Sequence, residues 1–337
     1  MGDCITTRGF GVTRRRGLVG IALLMAVTAA GGAKAQAPAA SPASAPLAVY
    51  GNRTTIELAP VLMAAERTGT TVKMGGVNNL TGDPGAPGYS SDGLADVATN
   101  AETQALRFSV KNPNLRIVMT VTEGLYRMVA RKSAGIATVA DLKGKRVATI
   151  PQTSSGYFVS LLLAKSGLSF ADITAVPLAL PDMPKALKDG RVDAVSIWEP
   201  EVENAALAIG PDAIDFSGKG IYRELFNLNT TAEALADPVR RARVVAFVRE
   251  IVRAAADLRK DPTHAKQLVA QASGYSYEVV DRSWAHHNYI AALPSDLLDV
   301  MVTEEIWLAG QDKRTARGRA ELAKLIDTSV LDEALKN

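Results

Sequence analysis

"KRVATIPQTSSGYFVSLLLAKSGL", Lys145 to Leu168, is the stretch whose reading decides the fold. Its first six residues form a short apolar run of strand length. Its second half is leucine-rich and helical in pattern. Between them sit Thr153, Ser154, Ser155, Gly156 and Tyr157. A strand that feeds straight into a helix is half of a βαβ unit. The three hydroxyls have two possible uses. One is plain capping of the helix. The other is to present hydroxyls and free backbone N–H groups to the oxygens of a carboxylate, sulfonate or phosphate. In open parallel sheets, ligands sit where such strand ends meet helix starts.

The same alternation extends in both directions. "LAVYG" reads as a strand, and "PVLMAAERTG" as a helix with Pro60 in its first turn and a glycine C-cap. "ADVATN" is a short strand, with Asn100 placed to cap the helix "AETQALRFSVKN". "LRIVMTVT" and "YRMVARK" read as two strands separated by the turn "EGL". Thr138 and Asp141 have capping-box spacing. "DMPKALKDG" is a helix capped by Asp182 and stopped by Gly190, and "VDAVSIW" is a strand that Pro200 ends. This βαβα order predicts an α/β protein with mostly parallel sheets flanked by helices. From about Asp237 the chain turns helical: a long amphipathic helix with a basic, solvated face, then "THAKQLVAQASG" and "SYEVVDRSWAHHNYI". "GGVNNLTGDPGAPGYSSDG", residues 75–93, is rich in Gly, Pro, Asn and Asp and is expected to hold no helix.

Composition narrows the class. Of 337 residues, 47% are hydrophobic and 22% charged, which suits a soluble globular chain. Residues 1–35 read as an export signal: a basic "TRRRG", an apolar "LVGIALLMAVTAA" and the small-x-small site "AKA". "RRGLV" also fits a twin-arginine pattern, so Sec and Tat export both stand. Removing that segment's five basic residues and one acid leaves 33 basic and 34 acidic residues. A net charge of −1 gives no electrostatic case for nucleic acid. The single cysteine, Cys4, falls in the signal, so the mature chain has no disulfide, thiolate nucleophile or cysteine metal ligand. Residues 36–46, "QAPAASPASAP", form a Pro/Ala/Ser tether. A free periplasmic protein is expected.

"DLKGKRVA", the "TSS" turn, "ALKDGRVDA" and "WEP" occur in this order between Asp141 and Pro200. With them the sequence resembles the SsuA/THI5-like (NMT1-type) branch of type 2 periplasmic substrate-binding proteins of ABC transporters. The resemblance covers residues 117–205 most strongly. It implies two α/β lobes joined by a two-strand hinge, with a ligand in the cleft. Lobe 1 would comprise 47–128 and 226–337, and lobe 2 would comprise 129–225. The segment 75–93 departs from the family, which usually has a helix there. The implied partners are a small-molecule ligand and an inner-membrane ABC permease with its cytoplasmic ATPase. The implied receptor is monomeric, carries no cofactor and does no catalysis.

On that frame the ligand would meet Thr153, Ser154, Ser155 and Tyr157 from the second-lobe turn. Trp198 would offer a stacking face and Glu199 an acceptor. The first lobe would contribute Asn52, Arg53, Thr54, Asn100, Glu102 and Thr103, and Glu123 would sit at a turn before the crossing strand. Arg53 would supply a cation. An organosulfonate such as taurine is expected ahead of nitrate or a thiamine-type pyrimidine, because the carboxylates would repel a bare inorganic anion. His286 and His287, as helix neighbours, point about 100° apart and form no metal face, and the histidines are expected outside the cleft. Two rivals remain: a periplasmic sensor for a membrane kinase, and a THI5-like pyrimidine-forming enzyme.

Overall fold

The computed structural model describes residues 46–83 and 89–336. The expected export signal, the tether up to residue 45, and 84–88 of the Gly/Pro-rich stretch lie outside the described residues. The described strands are β1 (Val49–Gly51), β2 (Val72–Met74), β3 (Val97–Ala101), β4 (Leu115–Leu125), β5 (Arg127–Arg131), β6 (Arg146–Ala148), β7 (Thr174–Val176), β8 (Ala194–Ser196), β9 (Ala213–Ser217), β10 (Arg223–Thr231) and β11 (His287–Asn288). They make two sheets, ordered β11-β4-β10-β3-β1-β2 and β7-β6-β8-β5-β9.

β4 and β5 are one extended run interrupted only at Tyr126, which carries the chain from the first sheet into the second. The chain returns between Ser217 and Arg223, where Gly218 N–H donates to Tyr126 O at 2.7 Å and ties the two crossings together. The sheets therefore exchange slightly earlier in sequence than the expected 128/129 and 225/226. The expected "EGL" turn is not formed: Glu123, Gly124 and Leu125 extend β4 and pair with Leu225, Glu224 and Arg223. A Cβ on Gly124 would lie 3.0 Å from Glu224 Oε2, so this glycine makes room for a carboxylate instead of a turn.

β1 pairs in parallel with β2 and β3, and β6 with β7 and β8. Every antiparallel pair involves β4, β5 or β10. The sheets are thus parallel in their βα halves and mixed where the crossing strands join them.

Period-2 alternation builds the second lobe. Met128 and Ala130 of β5 face the helix Ser154–Ala164 through Phe158, Leu162 and Leu163. Val129, between them, faces Met183, Leu187 and Val202 of the helices Met183–Lys188 and Glu201–Ile209. Burial on both faces is why these strands are apolar without alternation in sequence. In the first lobe, Val49, Val97, Val118 and Leu228 pack under the helices Ala59–Thr68 and Pro238–Lys260. Gly69, at φ 64°, ends the first of these, and the Asp237 side chain caps the second.

Further local expectations fail, among them the Asp182 cap, whose side chain makes no capping bond to the helix Met183–Lys188. Residues 75–93 do hold a short helix, Asn78–Thr81. It is stabilised by tertiary bonds: the buried Asn79 amide donates to Ser90 O (2.9 Å) and Gly93 O (3.1 Å). Asn100 does not cap; it lies in β3, and its Oδ1 accepts from Val77 N–H at 3.0 Å, while the next helix starts at Glu102. The helical run expected through "AHHNYI" stops at His286: the α-helix ends at Ser283, a single 3-10 turn spans Trp284–His286, and His287 and Asn288 add an edge strand to β4.

Candidate ligand-binding cleft

Strand ends from both sheets converge on a cavity of about 430 Å³ between the lobes. The first lobe supplies Asn52, Thr55 and Glu57 from the turn after β1, the 75–78 segment, and Asn100, Gln104 and Phe108 around the start of the helix Glu102–Ser109. Glu224 and Phe226, two apart on β10, point into the same space. The second lobe contributes Ile150, Thr153, Ser154 and Trp198. At the mouth the lobes touch: Arg107 Nη1 (3.0 Å) and Gln104 Nε2 (3.2 Å) donate to Gln152 O. Farther back, Tyr275 bonds Glu201 and Arg282 pairs with Glu203.

The three hydroxyls of the opening stretch have separate roles. Thr153 lines the cavity, but its Oγ1 donates to Ile150 O (2.8 Å) and makes no side-chain cap. Ser154 lines the cavity, and its Oγ is 2.8 Å from Tyr126 Oη. Ser155 points inward: it is fully buried, donates to Ser196 O and shares a hydrogen bond with Thr149, both at 2.6 Å. Gly156 is demanded by the tight turn, since a Cβ there would lie 2.1 Å from Pro151 O. Half of the turn therefore faces the cavity, and half locks the strand to the helix.

Asn52, Asn100, Thr153, Ser154 and Trp198 thus line the cleft together. The other expected site residues do not. Thr54 is tied to Asn52 Oδ1 through both its N–H (3.1 Å) and its hydroxyl (2.7 Å). Arg53 is half-buried, outside the lining, and makes no hydrogen bond or ion pair among the described residues. Glu102 is fully buried beneath its helix, accepting from Tyr222 Oη (2.5 Å) and Leu225 N–H (2.8 Å). Burial raises its carboxyl above the usual range, although these bonds oppose the shift. Thr103 is buried in the helix packing. Glu123 pairs with Arg223 and accepts from Asn288 (2.9 Å). Tyr157 packs on Tyr222 (5.4 Å between centroids) and Trp307 (5.1 Å), beside a separate cavity. Glu199 is held by Arg127 Nε at 2.7 Å. Glu102, Glu123, Tyr157 and Glu199 are thus claimed by partners from other elements that are distant along the chain.

Sequence reasoning missed the floor of the cleft. Glu57 and Glu224 are 2% and 4% exposed, and their oxygens converge on Gly124. Burial, and then the charge of Glu57, pushes the Glu224 carboxyl well above the usual range. His287 lies behind them, with Nε2 3.5 Å from Glu57 Oε1, and His286 Nε2 is 3.9 Å from Glu199 Oε1; neither histidine is among the residues that line the cavity. A signal for Glu224 was present: it stands in a strand buried on both faces, where an acid must serve some purpose. No group of three or more His, Cys, Asp or Glu side chains among the described residues is arranged to hold a metal. No described helix is long and apolar enough to cross a membrane.

Two mixed sheets, joined by two crossings over a cleft at their strand ends, define the two-lobed periplasmic-binding-protein architecture. The family description NMT1/THI5 like matches residues 81–265, more than half of the chain, and the chain belongs to that family. The alkanesulfonate-binding protein SsuA from Xanthomonas axonopodis pv. citri, solved bound to MOPS, superposes with a TM-score of 0.66 at 21% identity, covering 86% of this chain and 100% of that one. The periplasmic aliphatic sulphonate binding protein SsuA from Escherichia coli gives a TM-score of 0.68 at 16% identity, over 84% and 92% of the two chains. In sequence, the Escherichia coli protein named "Putative aliphatic sulfonates-binding protein" is 37% identical over 99 residues. That match covers 28% of this chain and 31% of the relative, so the sequence similarity spans about a third of the relative's length.

Proposed function

We propose that this chain is a periplasmic solute receptor. It closes two lobes on a small organic molecule and delivers it to an ABC permease. The observation that carries this reading is the cavity itself. It is fed by both sheets and floored by residues beside the crossings, and around it the lobes touch through polar contacts to Gln152, through Tyr275–Glu201 and Arg282–Glu203, and through Tyr157 against Trp307. Opening at the crossings would separate these contacts and leave the two sheets themselves intact. Its volume suits a small metabolite. Family membership and the sulfonate-binding relative agree with a binding role.

Native mass spectrometry of the protein purified from the periplasm should show a bound small molecule, displaced in Trp198→Ala. Uptake of that molecule should then fail in cells lacking the chain. Unchanged uptake would overturn delivery to a permease and favour the sensor.

A further inference from the structure

We propose that the solute is an organic cation, one that carries several N–H donors on a compact apolar body, and not an organosulfonate. This rests on the receptor function proposed above and concerns the same cleft.

Charge is the first ground. Two carboxylates, Glu57 and Glu224, floor the cavity, and no Lys or Arg lines it among the described residues. Of the arginines nearby, Arg53 lies outside the lining with no hydrogen bond or ion pair among the described residues, and the other three are committed elsewhere. Arg127 pairs with Glu199, Glu203 and Asp215. Arg223 pairs with Glu123 and Asp296. Arg107 bonds Gln152 at the mouth. Among the described residues, His287 is the one basic side chain against Glu57, and it stands behind the floor.

Unsatisfied acceptors are the second ground. Glu57 Oε2 and Glu224 Oε2 are buried and have no hydrogen-bond partner among the described residues. Buried acceptors of this kind need donors: without a ligand, a proton held on Glu224 against Glu57 meets part of that need, and once that proton leaves, both carboxylates can only accept. A ligand with two or more N–H groups supplies them; a sulfonate, itself an acceptor, supplies none.

The helix N-terminus at Ser154 is the third. It is the feature that would ordinarily attract an anion. Here the space is shared with an acid: Tyr126 Oη lies 2.8 Å from Ser154 Oγ and 3.5 Å from Glu224 Oε1. A second anion at that end would face Glu224 directly. Trp198, Phe108 and Phe226 supply π faces around the same space, which favour a cation.

The test uses matched probes on the full mature chain: benzamidinium and benzylammonium against benzenesulfonate, which has the same ring and the opposite charge. Calorimetry should show an ammonium or amidinium probe binding at least a hundredfold more tightly than benzenesulfonate. Glu224→Gln and Glu57→Gln should each weaken that binding at least tenfold, with folding checked by circular dichroism. Benzenesulfonate binding as well as either cation, or cation binding unaffected by both substitutions, would overturn the inference. So would an anion identified as the co-purified solute, and that result would leave the receptor function standing. A protein that carries no small molecule from the cell and binds none of the probes would remove the receptor function itself.

Discussion

Arg127 follows directly on the crossing residue Tyr126, and its guanidinium reaches three acids at once. Nε is 2.7 Å from Glu199, Nη2 is 2.5 Å from Glu203 and Nη1 is 3.0 Å from Asp215. Arg127→Met keeps much of the volume and removes the charge. Asp215 is half exposed, so its pair contributes only about 0–1 kcal/mol. Glu199 and Glu203 are each 5% exposed, and their loss of a partner dominates. Removing one member of a buried pair costs about 3–5 kcal/mol. The lower end applies here, because Glu203 keeps Arg282 and Glu199 still accepts from Glu203 N–H at 3.1 Å. The expected loss is therefore about 3 kcal/mol, read as a lower urea midpoint at unchanged slope. Arg127→Lys should recover little, since one ammonium cannot satisfy three separated carboxylates. Adding Glu199→Gln to Arg127→Met should restore part of the loss by removing a stranded charge. A loss below about 1 kcal/mol in Arg127→Met, or full rescue by Lys, would refute this account of the crossing.

Two further outcomes are expected. Ser155→Ala should destabilise the fold by about 1–3 kcal/mol, because Ser196 O loses its donor, while benzamidinium affinity stays unchanged; weakened binding with intact stability would return Ser155 to the ligand site. Glu305 is buried against Arg314 and Arg317, and despite burial their hydrogen bonds hold its carboxyl down at about 2. Its folded pKa lies below the ordinary 4.5, so its stabilisation is complete above about 4.5 and is lost as pH falls towards 2. Acid-unfolding curves of Glu305→Gln should lack that part of the slope, and an unchanged acid limb would refute the assignment.

The α/β class was legible in the chain because it is set by local pattern. Apolar runs such as "RVATI" and "VDAVSI" are strand-length, and the helices between them carry their own stops at Gly69 and Gly190. The hydroxyl turn at Thr153 was legible for the same reason: a strand-to-helix junction is contiguous in sequence. Which hydroxyl faces the cleft was not. Ser154 and Ser155 are chemically alike neighbours, and only the helix rotation against β8 sends one to the cavity and the other to Ser196 O. The floor was equally hidden. Glu57 and Glu224 stand 167 positions apart and meet at Gly124 only because β10 returns beside β4. Glu102 and Glu199 looked available for a ligand until Tyr222 and Arg127, distant in sequence, claimed them. Propensity acts between near neighbours along the chain, so it could specify the elements. The sign of the charge in the cleft depends on which buried groups find partners across the fold, and that was decided only when the two sheets were brought together.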